Sequence, residues 1–223
     1  MMIDLVESLK EKYAEETGWS FSFFEVVAFS LYLFFVSFLF ENGAGGAWHQ
    51  FLTSGLHDLA VGDSSIFKKA STLEYIISLM SLLITITVYR YLQSKIYDFL
   101  STLRDMSGYV ARLNKKYGDV EKSGQAMKIY IAKEAANDKK KYMRQVSMLS
   151  GLGLLSIAGL IATTPFLFVL DLVNYFSAIT CVLIFLAAQW FAFVKYTSQV
   201  LPRLILEKKA RGEAVKFGEG LRE

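Results

Sequence analysis

Apolar residues in this chain gather into long uninterrupted runs, where a soluble helix or strand would show them at regular intervals. A helix needs about 20 mostly apolar residues to cross the hydrocarbon of a bilayer. Four stretches meet that length: 20–41, 72–92, 146–170 and 172–195. Glu25 lies inside the first, Glu74 and Arg90 lie near the ends of the second, and the last two carry no charge before Lys195. Asp171 is all that separates the last two, so they form a tight hairpin, with Pro165 placed to kink or end the third helix. The first stretch presents Phe23, Phe24, Phe29, Phe34, Phe35 and Phe38, a bulky surface suited to lipid. The pattern predicts an all-α polytopic membrane protein with four transmembrane helices.

The period changes after the second span. Leu92, Ile96, Phe99, Leu103, Met106, Val110, Leu113 and Tyr117 alternate four and three residues apart, which is a heptad seam. Only Gly108 weakens it, by a modest helix penalty. The second span is therefore expected to continue as one helix to Tyr117, where Gly118 supplies a C-cap. A second helix starts at Gln125, carries Met127, Tyr130, Ile131 and Ala135, and returns into the third span. Segment 93–145 thus reads as an antiparallel helical hairpin extending spans two and three. Its seam either packs the two arms together or meets other subunits or another protein, and the sequence permits both.

The remaining segments are amphipathic. In 42–71, a Gly-rich start leads to Trp48, Phe51, Leu52, Leu56 and Leu59 at helical spacing, an interfacial helix outside the membrane. His49 and His57 in it are eight residues apart, two turns, which is too far to share a metal ion unaided. Segment 1–19 is a weaker amphipathic segment without the apolar core of a signal peptide. In 196–223, Pro202 breaks the helix and a basic tail follows.

Charge orients the spans. Of 24 Lys and Arg, twelve fall in 94–145 and seven from Lys195 onward, against Lys68 and Lys69 in the loop between spans one and two. Basic residues stay on the cytoplasmic side. Both termini and the hairpin are therefore expected in the cytoplasm, with 42–71 outside and the chain in a bacterial inner membrane. Trp19, Tyr89 and Tyr91 fall where the inner headgroup boundary would lie. A net charge of +3 gives no reason to expect direct nucleic-acid binding.

Ionisable side chains inside a span are functional candidates. Glu25 and Arg90 fall at similar depth on helices of opposite direction, which makes them a candidate ion pair. Ser147, Gly151, Ala158 and Ala162 share one face of span three, where small side chains let helices approach closely. Lys139, Lys140, Lys141 and Arg144, just before span three, are placed for anionic headgroups or a partner. No metal-ligand spacing, P-loop, nucleophile elbow or dinucleotide fingerprint occurs, so neither catalytic residue nor cofactor is predicted. Ser150-Gly151-Leu152-Gly153 has the look of an intramembrane protease site, but no histidine lies in any span to activate the serine.

Two resemblances bear on function. In topology, and in Gly151-Leu152-Gly153-Leu154-Leu155 with Thr163, Thr164 and Pro165, the chain resembles flagellar and Tol-type stator subunits, which implies an ion-conducting pore. In size, spans and helical cytoplasmic region, the whole chain resembles the membrane subunit of the two-component Kiwa anti-phage systems. That likeness is architectural and transfers no residue roles. It implies an inner-membrane homo-oligomer that senses infection and recruits a soluble DNA-binding effector. The function expected is a non-enzymatic membrane subunit that contacts lipid, self-associates and docks a cytoplasmic protein through the hairpin. The topology is testable by labelling single cysteines in a chain lacking Cys181. A cysteine at Ser54 should react in intact cells and one at Lys122 only after permeabilisation; labelling of position 122 in intact cells would invert the map.

Overall fold

The computed structural model of the chain describes residues 23–42, 51, 69–168 and 172–213. These residues are helical throughout, with no strand among them. The helices are α1 (Phe23–Asn42), α2 (Thr72–Leu103), α3 (Met106–Lys116), α4 (Gln125–Thr163), α5 (Leu172–Lys195) and α6 (Leu201–Ala210). A 3-10 turn, Gly118–Lys122, precedes α4 and another, Thr164–Phe166, ends it at Pro165. Four helices are long and apolar enough to cross a membrane, and α2 and α4, at 32 and 39 residues, exceed what a crossing needs. At 1.5 Å per residue they measure roughly 48 and 58 Å, against about 30 Å of hydrocarbon. His49, His57 and most of the expected interfacial helix of 42–71, the 1–19 segment, Trp19 and Asp171 lie outside the described residues; Phe51 of that helix is described and meets Phe34 at 5.2 Å.

The chain divides into two compact units, and α2, α4 and α5 contribute to both. One unit, residues 20–91 and 151–188, is apolar. Its core holds Ala28, Tyr32, Phe34, Phe35 and Phe38 of α1, with Leu82, Ala158, Ala162 and Phe166. The phenylalanines of α1 are thus mostly core rather than lipid surface: Phe35 meets Phe166 edge-on at 5.6 Å, while Phe23 alone of the six is strongly exposed. Polar groups are answered inside the unit. The Tyr32 and Thr85 hydroxyls bond each other, Ser37 donates to Glu74 at 2.6 Å, and Asn174 donates to the Phe166 carbonyl at 3.1 Å. Outward face Ile76, Leu79, Met80, Leu83 and Ile84 of α2 and Phe176, Ile179 and Leu183 of α5. An apolar exterior over an apolar core in which the few polar groups are paired suits lipid. Tyr89 turns inward against Phe185 at 6.3 Å rather than marking a boundary; Tyr91 is exposed.

Of the described residues the other unit, the polar one, comprises 92–150 and 189–213. Its core draws Tyr97 and Leu100 from α2, Met106, Val110 and Leu113 from α3, Val146 from α4, and Ala192 to Ile205 from the end of the chain. Two expectations fail here. Segment 196–223 does not begin as a broken helix with a surface tail. α5 passes through one π-helical turn, Tyr196–Val200, into α6, and Leu201, Pro202, Leu204, Ile205 and Ala210 are buried. Proline lacks an N–H and its ring presses on the carbonyl four residues back. The wider π turn takes up that misfit, so the helix continues.

Nor does α2 continue to Tyr117. It ends at Leu103, and α3 begins after Arg104 and Asp105. The Ser101 and Thr102 hydroxyls turn back to the Asp98 carbonyl, at 2.8 and 2.9 Å. Asp105 then accepts from the Gly108 N–H at 3.0 Å and the Ser107 hydroxyl at 2.9 Å, the N-cap of a new helix. A Cβ at Gly108 would meet the Asp105 carboxylate in this position, so a side chain there displaces the capping group. The two bonds, the Gly108 N–H foremost, hold the Asp105 carboxyl below its usual range. A depressed carboxyl stabilises above its unfolded pKa of about 3.9 and ceases to as pH falls through its folded value. The hydrogen-exchange protection factor of the Gly108 amide should therefore fall on acidification in the wild type, stay flat in Asp105→Asn, and be low at all pH in Asp105→Ala and Gly108→Ala. Equal protection in all four would contradict the cap.

Candidate functional site

The break at Asp105 decides where the predicted seam residues go. Met106, Val110 and Leu113 are buried, while Leu92, Ile96 and Tyr117 are half-buried. Phe99 and Leu103 are 63% and 64% exposed, so the seam is not one continuous packing face. On α2 beyond Leu92 the buried positions are Tyr97, Leu100 and Ser101. A kink of the backbone resets helical phase, and α2 and α3 turn different heptad positions inward. Of the return-arm positions Met127 and Tyr130 are exposed, Ile131 is half-buried and Ala135 is buried. α6 lies against α3 and the 3-10 turn after it.

Electrostatics fix α6 to the polar stretch of α4. Arg203 donates through Nε to Asp138 at 3.0 Å and through a terminal nitrogen to the Gln199 carbonyl at 2.8 Å. Its guanidinium also covers the Tyr142 ring at 4.3 Å. One turn further along, Lys139 reaches Glu207 at 3.0 Å, and Arg211 reaches the other oxygen of that carboxylate. The Glu207 side chain is only 9% exposed, so two cations answer a nearly buried charge. Lys139 is thereby taken out of the predicted headgroup cluster and given a structural role. Lys140, Lys141 and Arg144 stay exposed.

The small-residue face is used within the apolar unit. Ala158 and Ala162 are in its core, and a side chain at Gly151 would collide with the Phe24 ring. Ser147, counted with them, is exposed in the polar unit. Glu25 is half-buried in the first turn of α1, and Arg90 is exposed on α2; both are engaged by neighbours.

One feature had no motif to announce it. The first turns of α4 and the end of α6 enclose a groove of about 610 Å³. Lys128, Lys133 and Arg211 stand around a floor that includes Ala132, Ala136 and Ala210. Among the described residues no carboxylate lines it. The signal in the sequence was the pair Ala132 and Ala136, at i and i+4, interleaved with Lys128 and Lys133, which is unremarkable until α6 is laid beside it. No protein-family model, curated protein or solved structure matches the chain.

Because Lys139 and Arg211 converge on Glu207, removing that carboxylate leaves two cations close together. Glu207→Gln should lower the stability of the polar unit by roughly 1–3 kcal/mol, read from urea melts in detergent. Lys139→Met added to it should restore part of the loss. Strict additivity of the two changes would contradict the pair.

Proposed function

We propose that this chain is a non-enzymatic, self-associating subunit of a bacterial inner membrane. It crosses four times, with both termini and the polar unit in the cytoplasm, and docks a soluble protein on that unit. The observation that carries the reading is a polar unit with its own core, built on helices that outrun the bilayer and bearing exposed apolar side chains where lipid does not reach. Counted from the expected boundary at Leu92, Phe99 and Leu103 lie roughly 10 and 16 Å along the helix. Ile129 and Tyr130 lie roughly 25 Å along α4 from Val146. Exposed apolar groups at such depth mark interaction surfaces. The basic residues, concentrated in this unit, support its cytoplasmic placement. Lys140, Lys141 and Arg144 remain available to anionic headgroups or to the partner. Recruitment of a soluble effector during infection, as the resemblance to Kiwa membrane subunits implies, is the setting proposed.

A stator-like pore is the competing reading. It would place the small face of α4 between subunits, and α1 already occupies that face beside Gly151. Since Phe99 and Leu103 are exposed, Phe99→Asp with Leu103→Asp should leave the polar unit folded and the chain resistant to carbonate extraction. Co-purification with the soluble protein encoded beside it should then be lost. A double variant that keeps both the complex and its activity would defeat the docking reading and favour a pore formed by the spans.

A further inference from the structure

We propose that the basic groove between α4 and α6 binds an acidic, amphipathic peptide segment of the soluble partner; this rests on the docking reading above and assigns it a surface and a chemistry. Three cations meet there without a lining carboxylate among the described residues. Neither Lys128 nor Lys133 is held in an ion pair among those residues, and Arg211 gives Glu207 only one of its nitrogens. Like charges brought together repel, and an incoming anion relieves that repulsion.

The shape selects among anions. Lys128 and Lys133 are five residues apart, roughly 7.5 Å along the axis, which suits spaced carboxylates better than a single phosphate. Alanines at 132, 136 and 210 let a leucine-sized side chain or a peptide backbone come close. Among the described residues no aromatic ring lines the groove to stack a base, so a nucleotide finds charge there without a platform. A lipid headgroup is too far away. Ala132 lies roughly 21 Å along α4 from Val146, and headgroups extend only about 5–8 Å beyond the hydrocarbon. The ion pairs of Arg203 and Glu207 hold α6 against α4, so the groove is set before a ligand arrives.

The test uses the full chain in phosphatidylcholine nanodiscs and a fluorescent peptide of repeating Glu-Glu-Leu-Leu, followed by anisotropy. Lys128→Glu with Lys133→Glu should weaken binding about tenfold or more, with helical circular dichroism unchanged. Lys115→Glu with Lys116→Glu makes the same change of charge at exposed positions of α3 outside the groove, and should leave affinity as it was. Ala136→Trp, which fills the floor without altering charge, should weaken binding as well. No binding to the wild type, or equal loss in both charge reversals, would overturn the assignment. So would displacement of the peptide by ATP at lower concentrations than by unlabelled peptide, or binding only where phosphatidylglycerol is added. If the native partner still binds the Lys128→Glu/Lys133→Glu chain, the groove assignment falls and the docking reading stands. If the Phe99/Leu103 variant also keeps the partner, the docking reading falls too.

Discussion

The polar unit depends on carrying the fourth apolar helix past Pro202 without ending it. Proline removes one backbone donor and crowds the preceding turn, and the usual outcome is a kink or a stop. Here the π turn Tyr196–Val200 absorbs the misfit while the Thr197 and Ser198 hydroxyls return to the Phe193 and Val194 carbonyls at 2.9 and 2.6 Å. α6 therefore begins in line, and Leu201, Leu204 and Ile205 enter the core that Tyr97, Met106, Val110 and Val146 share. Without that helix, the core that holds the apolar stripe of α3 would lose Leu201, Leu204 and Ile205.

Charge then fixes what apolar packing leaves loose. Apolar contacts alone would let α6 slide along α4, because neighbouring leucines are nearly equivalent. Asp138 with Arg203 and Lys139 with Glu207 tie two consecutive residues of α4 to adjacent turns of α6 and select one register. Buried ion pairs contribute little net stability against apolar substitutes and are best credited with such specificity. The same register brings Arg211 to the alanines and lysines of α4, so the basic groove is a consequence of the pairing.

The four apolar helices were legible because twenty apolar residues in a row have few other uses. The run of α4 from Gln125 into the third span was legible too, since nothing in Asn137-Asp138-Lys139-Lys140-Lys141 stops a helix. The heptad seam misled: spacing records side-chain period and says nothing of Asp105, whose carboxylate stops the helix by capping the next. The fate of Pro202 was hidden for the converse reason, because a helix breaker is absorbed where tertiary contacts hold both sides. Phe34, Phe35 and Phe38 read as lipid surface because an apolar residue in a span suits lipid and core alike; only the partners, Phe166 and the small face of α4, decide. Lys139 looked like its neighbours until Glu207, 68 residues on, was placed beside it.

The central claim is that α6 completes the core of the polar unit. Ile205 is fully buried in that core and far in sequence from α3. Hydrogen exchange of the detergent-solubilised chain, comparing wild type with Ile205→Asp, tests it most directly. A buried charge there should strip protection from the amides of Met106–Lys116 while leaving those of Leu172–Lys195 protected. Full protection of Met106–Lys116 in the variant would contradict the claim.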